Sequence, residues 1–161
     1  MKTITLTLLL LAANQNDPGA IAELRAIGQP AVDALLQWRA SQKLDDTAEQ
    51  RFESAIDSVC KQRDCAWSGL YWYTDFDAAK DAARRENKPI LTLRLLGNLD
   101  EELSCANSRF FRTTLYSNPD IAAYLRAHFV LHWSSERPRI NLVCVSNRTR
   151  RLFPRHARTD R

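Results

Sequence analysis

The sequence predicts a mixed α/β protein, a small helical segment followed by a core in which helices alternate with short strands. Residues 17–59 carry repeated helix start and stop signals with apolar residues at helical spacing. Two β-type runs, 90–96 and 129–133, are separated by two helical patterns. From residue 75 the order is therefore helix, strand, helix, helix, strand, which is the order of layered α/β packing. A chain of 161 residues, 45% hydrophobic and 26% charged, suits one core with a helical appendage and excludes a disordered or collagen-like class. With 4 Gly and no GxGxxG or GxxxxGK[ST] string, glycine-loop nucleotide binding is also excluded.

Residues 1–15 have the layout of a secretory signal: Lys2, an apolar run from Ile4 to Ala13, then the polar break Asn14-Gln15-Asn16-Asp17. Such a run is too short to span about 30 Å of hydrocarbon, so no transmembrane span is expected. The signal implies a periplasmic or secreted protein. The alternative is that the run is a first amphipathic helix and the protein stays cytoplasmic.

Residues 16–66 read as a helical cap. Asp17 is placed as an N-cap before Pro18, Ile21, Leu24 and Ile27 share a face, and Gly28 stops the helix. Gln29-Pro30 opens a second helix with Val32, Leu35, Leu36 and Trp38 on one face. A third, from about Thr47 to Val59, repeats the pattern with Phe52, Ala55, Ile56 and Val59. The step Leu24 to Leu36, with Gly28-Gln29-Pro30 at its corner, resembles the inter-helix corner of a HEAT-like repeat.

Residues 67–135 form the predicted core. The aromatic stretch Trp67, Tyr71, Trp72, Tyr73 leads to a helix from Asp75 to about Glu86, apolar at Phe76, Ala79 and Ala83 and broken at Asn87-Lys88-Pro89. Ile90–Leu96 is a strand that Arg94 interrupts. The acids Asp100, Glu101 and Glu102 follow as a solvated insertion. Ser104 to about Leu115 is read as a helix, Asn118-Pro119-Asp120 opens another to about Ala127, and Phe129–Trp133 is the second strand.

Cys105 falls at the start of the helix after the first strand. Helix N-termini expose unpaired N–H groups and the positive end of the dipole, which favour a thiolate. The same position also suits a buried, inert Cys. Cys60 and Cys65, with four residues between them, are too widely spaced for a CxxC pair and lack a second metal-ligand pair. In an exported chain they form a local disulfide; in the cytosol they are two thiols.

From Tyr71 to Ser135 the chain resembles the thioredoxin-like superfamily. Trp72, Ala78-Ala79, Ala83, Lys88-Pro89, Cys105, Tyr116, Asn118-Pro119, Ile121, Tyr124-Leu125 and Phe129-Val130 follow one another in that family's order. The resemblance implies a βαβ core with thiol–disulfide chemistry, no cofactor, and a protein or small-molecule thiol or disulfide as partner. Where the family carries Cys-x-x-Cys, this chain has Cys105-Ala106-Asn107-Ser108, so Ser108 stands at the resolving position. Ser104 replaces the usual Trp before the Cys, and Asn98–Glu102 is an insertion.

The family fold also continues through a cis-proline loop, a hairpin and a last helix. Here Ile140–Val145 offers one strand, Cys144 lies within it, and Pro138 matches no family motif. Residues 136–161 therefore read as a truncated or out-of-frame end, basic and disordered. A truncated sheet exposes an edge, which implies self-association. The tail also accounts for the charge: six Arg (148, 150, 151, 155, 158, 161) against Asp160 exceed the net +4 of the whole chain, so the remainder is close to neutral. No nucleic-acid fold motif accompanies it, and no specific nucleic-acid partner is expected.

His128, His132 and His156 lack metal-ligand spacing, and His132 is expected at a surface or interface. The functional expectation is a monothiol exchange protein in which Cys105 attacks a disulfide and Ser108 hydrogen-bonds the thiolate. The competing expectation is a thioredoxin-fold interaction module that has lost redox chemistry.

Overall fold

The computed structural model describes residues 15–102 and 106–136. The apolar leader run, Cys105, Pro138, the 140–145 run with Cys144, His156 and the arginine-rich tail lie outside the described residues. Within them the protein is a mixed α/β structure, mostly helical, with a two-stranded parallel sheet.

Three helices come first: α1 (Pro18–Ile27), α2 (Gln29–Ser41) and α3 (Asp46–Cys60). Asp17 caps α1 by accepting from the Ala20 N–H at 2.9 Å. Gly28, at φ 82°, donates its N–H to Leu24 and turns the chain directly into α2. A side chain there would sit 3.5 Å from the Tyr73 hydroxyl in a backbone conformation that L residues rarely adopt. α3 starts one residue before the expected Thr47 because Asp45 supplies the cap. Leu24, Val32, Leu35, Phe52, Ile56 and Val59 bury their side chains together, as their helical spacing requires.

A single turn, α4 (Cys65–Ser68), follows α3, and the segment after it alternates like a strand. Leu70 and Trp72 enter the core beneath the sheet, while Tyr71 joins the helical cluster. This segment is bonded to the cap throughout. The Tyr71 N–H donates to the Gln29 side chain, Gln29 donates to the Gly69 carbonyl at 2.7 Å, and the Tyr71 hydroxyl donates to the Arg25 carbonyl at 2.8 Å. The Arg25 guanidinium in turn donates to the Val59 carbonyl at 2.6 Å.

Next come α5 (Phe76–Glu86), β1 (Ile90–Leu95), α6 (Ala106–Phe110), a π-helical turn (Phe111–Leu115), α7 (Pro119–His128) and β2 (Val130–Ser135). β1 and β2 pair in parallel with Ile90 opposite Val130. Tyr73 bridges to the other side of β2, with its N–H on the Leu131 carbonyl and its carbonyl accepting from Trp133. The order across the sheet is therefore Tyr73, β2, β1, and β2 is central. That explains why Val130–Trp133 are all buried, as a strand paired on both sides and covered on both faces must be.

Several expected details differ. α5 turns Ala79 and Ala82 inward, leaving Ala83 half-buried and Phe76 49% exposed. Small residues face the sheet because α5 lies close on it at Val130. β1 ends at Leu95, and Leu96 is 72% exposed. The helix expected up to Leu115 loosens into the π turn. His132 is not at the surface but 5% exposed, because its strand is the central one and Phe76 lies edge-on against its ring at 5.1 Å.

Candidate functional site

The carboxyl end of β1 and the loop beyond it are held by more bonds than the sequence suggested. The Leu95 carbonyl accepts from the Glu136 N–H at 2.6 Å, and Arg94 reaches the Glu136 carboxylate with two bonds of 2.9 and 2.8 Å. Both strand ends are thereby clipped together. Leu99 then turns inward and is fully buried in the core of the sheet.

Residues 98–102 are tied to the rest of the fold, although the Glu102 side chain stays exposed. The Arg112 guanidinium, 4% exposed, donates to the Glu101 carbonyl at 2.6 Å and to the Leu99 carbonyl at 3.4 Å, and its Nε lies 3.3 Å from the Asp64 carboxylate. The Leu99 carbonyl also accepts from the Arg63 N–H, and Asn98 donates to the Glu101 carboxylate at 2.6 Å. Lys61 pairs with Asp100 at 3.3 Å and Arg63 with Glu102 at 3.6 Å. The cations that match Asp100 and Glu102 thus sit in the ring between Cys60 and Cys65.

That ring is closed by a disulfide, with Cα atoms 6.3 Å apart, and both cysteines are fully buried. Lys61 and Asp64 adopt left-handed backbone to close it. Gln62 points into the core, where its Oε1 accepts from the Trp72 indole at 2.7 Å and its Nε2 donates to the Ser68 hydroxyl at 2.7 Å. The Trp133 indole donates to the Lys61 carbonyl at 2.8 Å. The ring thus joins cap, sheet and loop at one place.

Of the predicted site residues, Cys105 lies outside the described residues, and Ser108 is fully buried in α6. Cys60 and Cys65 stand behind Lys61 and Arg63, which touch the loop leading towards Cys105. Among the described residues no cluster of His, Cys, Asp or Glu could hold a metal ion, and no helix is long and apolar enough to cross a membrane. Sequence reasoning missed Arg112, which read as one more helical residue, and missed the match between Lys61-Gln62-Arg63 and Asp100-Glu101-Glu102. Opposite charge in two short runs was the available signal.

Burial is the main displacement of five ionisations, those of Asp57, Tyr71, Tyr73, Tyr116 and His132, and both Tyr71 and Tyr73 are raised. Asp57 is raised to about 6, although backbone N–H donors, including that of Cys65 at 2.9 Å, partly oppose the shift. Tyr116, packed under Trp72, is pushed up to about 12. His132 is lowered, with the Asp75 charge acting the other way. Comparison with known proteins finds no matching family model, curated protein or solved structure.

Proposed function

We propose that the chain is an exported, thioredoxin-like protein with a HEAT-like helical cap, and that it carries out monothiol thiol–disulfide exchange through Cys105. The observation that carries the reading is the sheet order, Tyr73, β2, β1, with parallel pairing throughout. The segment holding Cys105 leaves the carboxyl end of β1, the end at which open α/β sheets carry their reactive groups. A second observation supports it. Lys61 and Arg63 offset the Asp100 and Glu102 carboxylates, whose charge would otherwise raise the pKa of a neighbouring thiol. The buried disulfide suits an oxidising compartment.

In the exchange, the Cys105 thiolate attacks one sulfur of a protein or small-molecule disulfide and expels the other as a thiolate. A second thiol, supplied from outside the chain, then attacks the mixed disulfide and releases Cys105. Ser108 has no sulfur to resolve it, and Cys60 and Cys65 are bonded to each other and buried. The role proposed for Ser108 in this exchange is limited to hydrogen bonding to the thiolate. The outer edge of β1, which carries no other strand among the described residues, is the edge on which a second copy adds.

The test is reduction of a mixed disulfide coupled to glutathione oxidation, with iodoacetamide labelling of Cys105 followed against pH. Turnover that disappears in Cys105→Ser, with a labelling midpoint well below the free-thiol value of about 8.5, is expected. A midpoint equal to that of denatured protein refutes it. The burial of Ser108 and of both ring cysteines favours a second reading, a non-catalytic interaction module. Capture of the same stable partner by wild type and Cys105→Ser, without turnover, would establish that reading.

A further inference from the structure

We infer that the cleft beside the disulfide ring is a binding site for a cationic side chain, Lys or Arg, presented by a partner polypeptide. The cleft, about 410 Å³, opens between α3, the ring and the loop after β1. That volume accommodates a side-chain head group with room to spare. Its charged lining consists of Glu53, Asp57, Asp64 and Asp100 against Lys61 and Arg63, a net charge of −2.

Internal pairing sharpens the balance. Lys61 is held by Asp100, Arg63 by Glu102, and Asp64 lies against Arg112. Glu53 and Asp57 are left with no ion-pair partner among the described residues. They are four apart on α3 and so share a face. Both cations of the lining are thus already committed, and Glu53 and Asp57 line the cleft without an ion pair, Asp57 also accepting the Cys65 N–H at 2.9 Å.

The rim adds a flat aromatic surface. Trp67 lines the cleft and is 76% exposed, whereas Trp72 is fully buried and Trp133 is 6% exposed. The exposure is built into α4. With Asp64 and Gly69 both left-handed, the single turn buries Cys65 and Ser68 and turns Trp67 outward. An indole face beside carboxylates is the pairing that a guanidinium or ammonium satisfies, by cation–π contact on one side and charge-assisted hydrogen bonds on the other. Burial already penalises the Asp57 carboxylate, and an arriving cation relieves that penalty. An anion meets the wrong net charge, and an apolar group would strand Glu53, Asp57 and the serines of α3. The site makes no use of Cys105, so it stands or falls apart from the exchange chemistry.

The experiment uses the full chain and two probes, acetyl-triarginine amide and acetyl-triserine amide. The indole N–H resonance of Trp67 is followed in 15N-labelled protein, and affinity is measured by calorimetry. Triarginine is expected to shift the Trp67 resonance saturably while triserine leaves it unchanged. Trp67→Ala is expected to weaken triarginine binding at least about threefold, the loss of one exposed cation–π contact. Asp57→Asn is expected to weaken it comparably, and Asp77→Asn, an exposed carboxylate on α5, to leave it unaltered. Trp67 is exposed, so its truncation is expected to preserve the far-UV spectrum and melting. Absence of saturable binding, equal binding of triserine, or unchanged affinity in both cleft variants would overturn the inference.

Discussion

Gln62→Met is the substitution that most directly tests how the disulfide ring is fastened to the sheet. Gln62 is fully buried, and its amide makes two bonds of 2.7 Å, one from the Trp72 indole and one to Ser68. Methionine keeps the length and approximate volume, so the change removes hydrogen bonding with little cavity. Ser68 retains the Leu70 N–H as a partner at 3.3 Å. Trp72, fully buried, loses the acceptor of its indole N–H. A stranded buried donor costs about 1–3 kcal/mol and the second lost bond about 1, so the loss should be about 2–4 kcal/mol. For a chain of this length that corresponds to a Tm lower by roughly 5–10 °C.

Urea unfolding followed by near-UV circular dichroism measures the loss, and a cycle with Trp72→Phe isolates the pair. Each single change leaves the other polar group unpaired in the core, whereas the double variant removes both. The double variant should therefore be at least about 1 kcal/mol more stable than additivity requires. A Tm within 2 °C of wild type for Gln62→Met, or an additive cycle, would refute the reasoning.

Asp57→Asn should stabilise the protein at pH 7 by about 1–3 kcal/mol. The raised carboxyl carries no penalty below its unfolded value of 3.8 and its full penalty above about 6, so wild type and variant should diverge as pH rises through that window. Urea midpoints against pH read this directly, and parallel curves would refute it. His132 has the opposite sign. Its lowered value gives stability present above 6.5 and lost as pH falls through its folded value, so His132→Phe should flatten the acid side of the same curve. Arg112→Met should cost about 2–4 kcal/mol and remove hydrogen-exchange protection from residues 99–102, since two carbonyl bonds and the Asp64 contact are lost together. Opening the Cys60–Cys65 disulfide should cost about 2 kcal/mol by loop closure alone. Because both cysteines are fully buried, dithiothreitol should reduce them in urea and hardly at all in native protein, as followed by mass.

The helices were legible because their signals are local. Asp17 before Pro18, Gly28 between two helices and Asn118 before Pro119 act on backbone groups within four residues, so sequence neighbours suffice to place α1, α2 and α7. The thioredoxin-like and HEAT-like resemblances rest on the same kind of local pattern. The π turn after α6 and the inward face of α5 were not legible, since each depends on how closely a helix approaches the sheet.

The sequence by itself determined the mixed α/β class, the two short strands, the near-neutral body with its basic end, and the candidate residues Cys105, Ser108, Cys60 and Cys65. Only the tertiary structure decided that β2 is central and that His132 is therefore buried, because strand order is a relation between segments and leaves no mark on any one of them. Only the tertiary structure tied the loop at Asp100–Glu102 to Lys61, Arg63 and Arg112. The physical reason is the same in both cases. Burial and ion pairing are set by what the fold brings alongside a residue, and here those partners lie from 11 to 59 residues away in the chain.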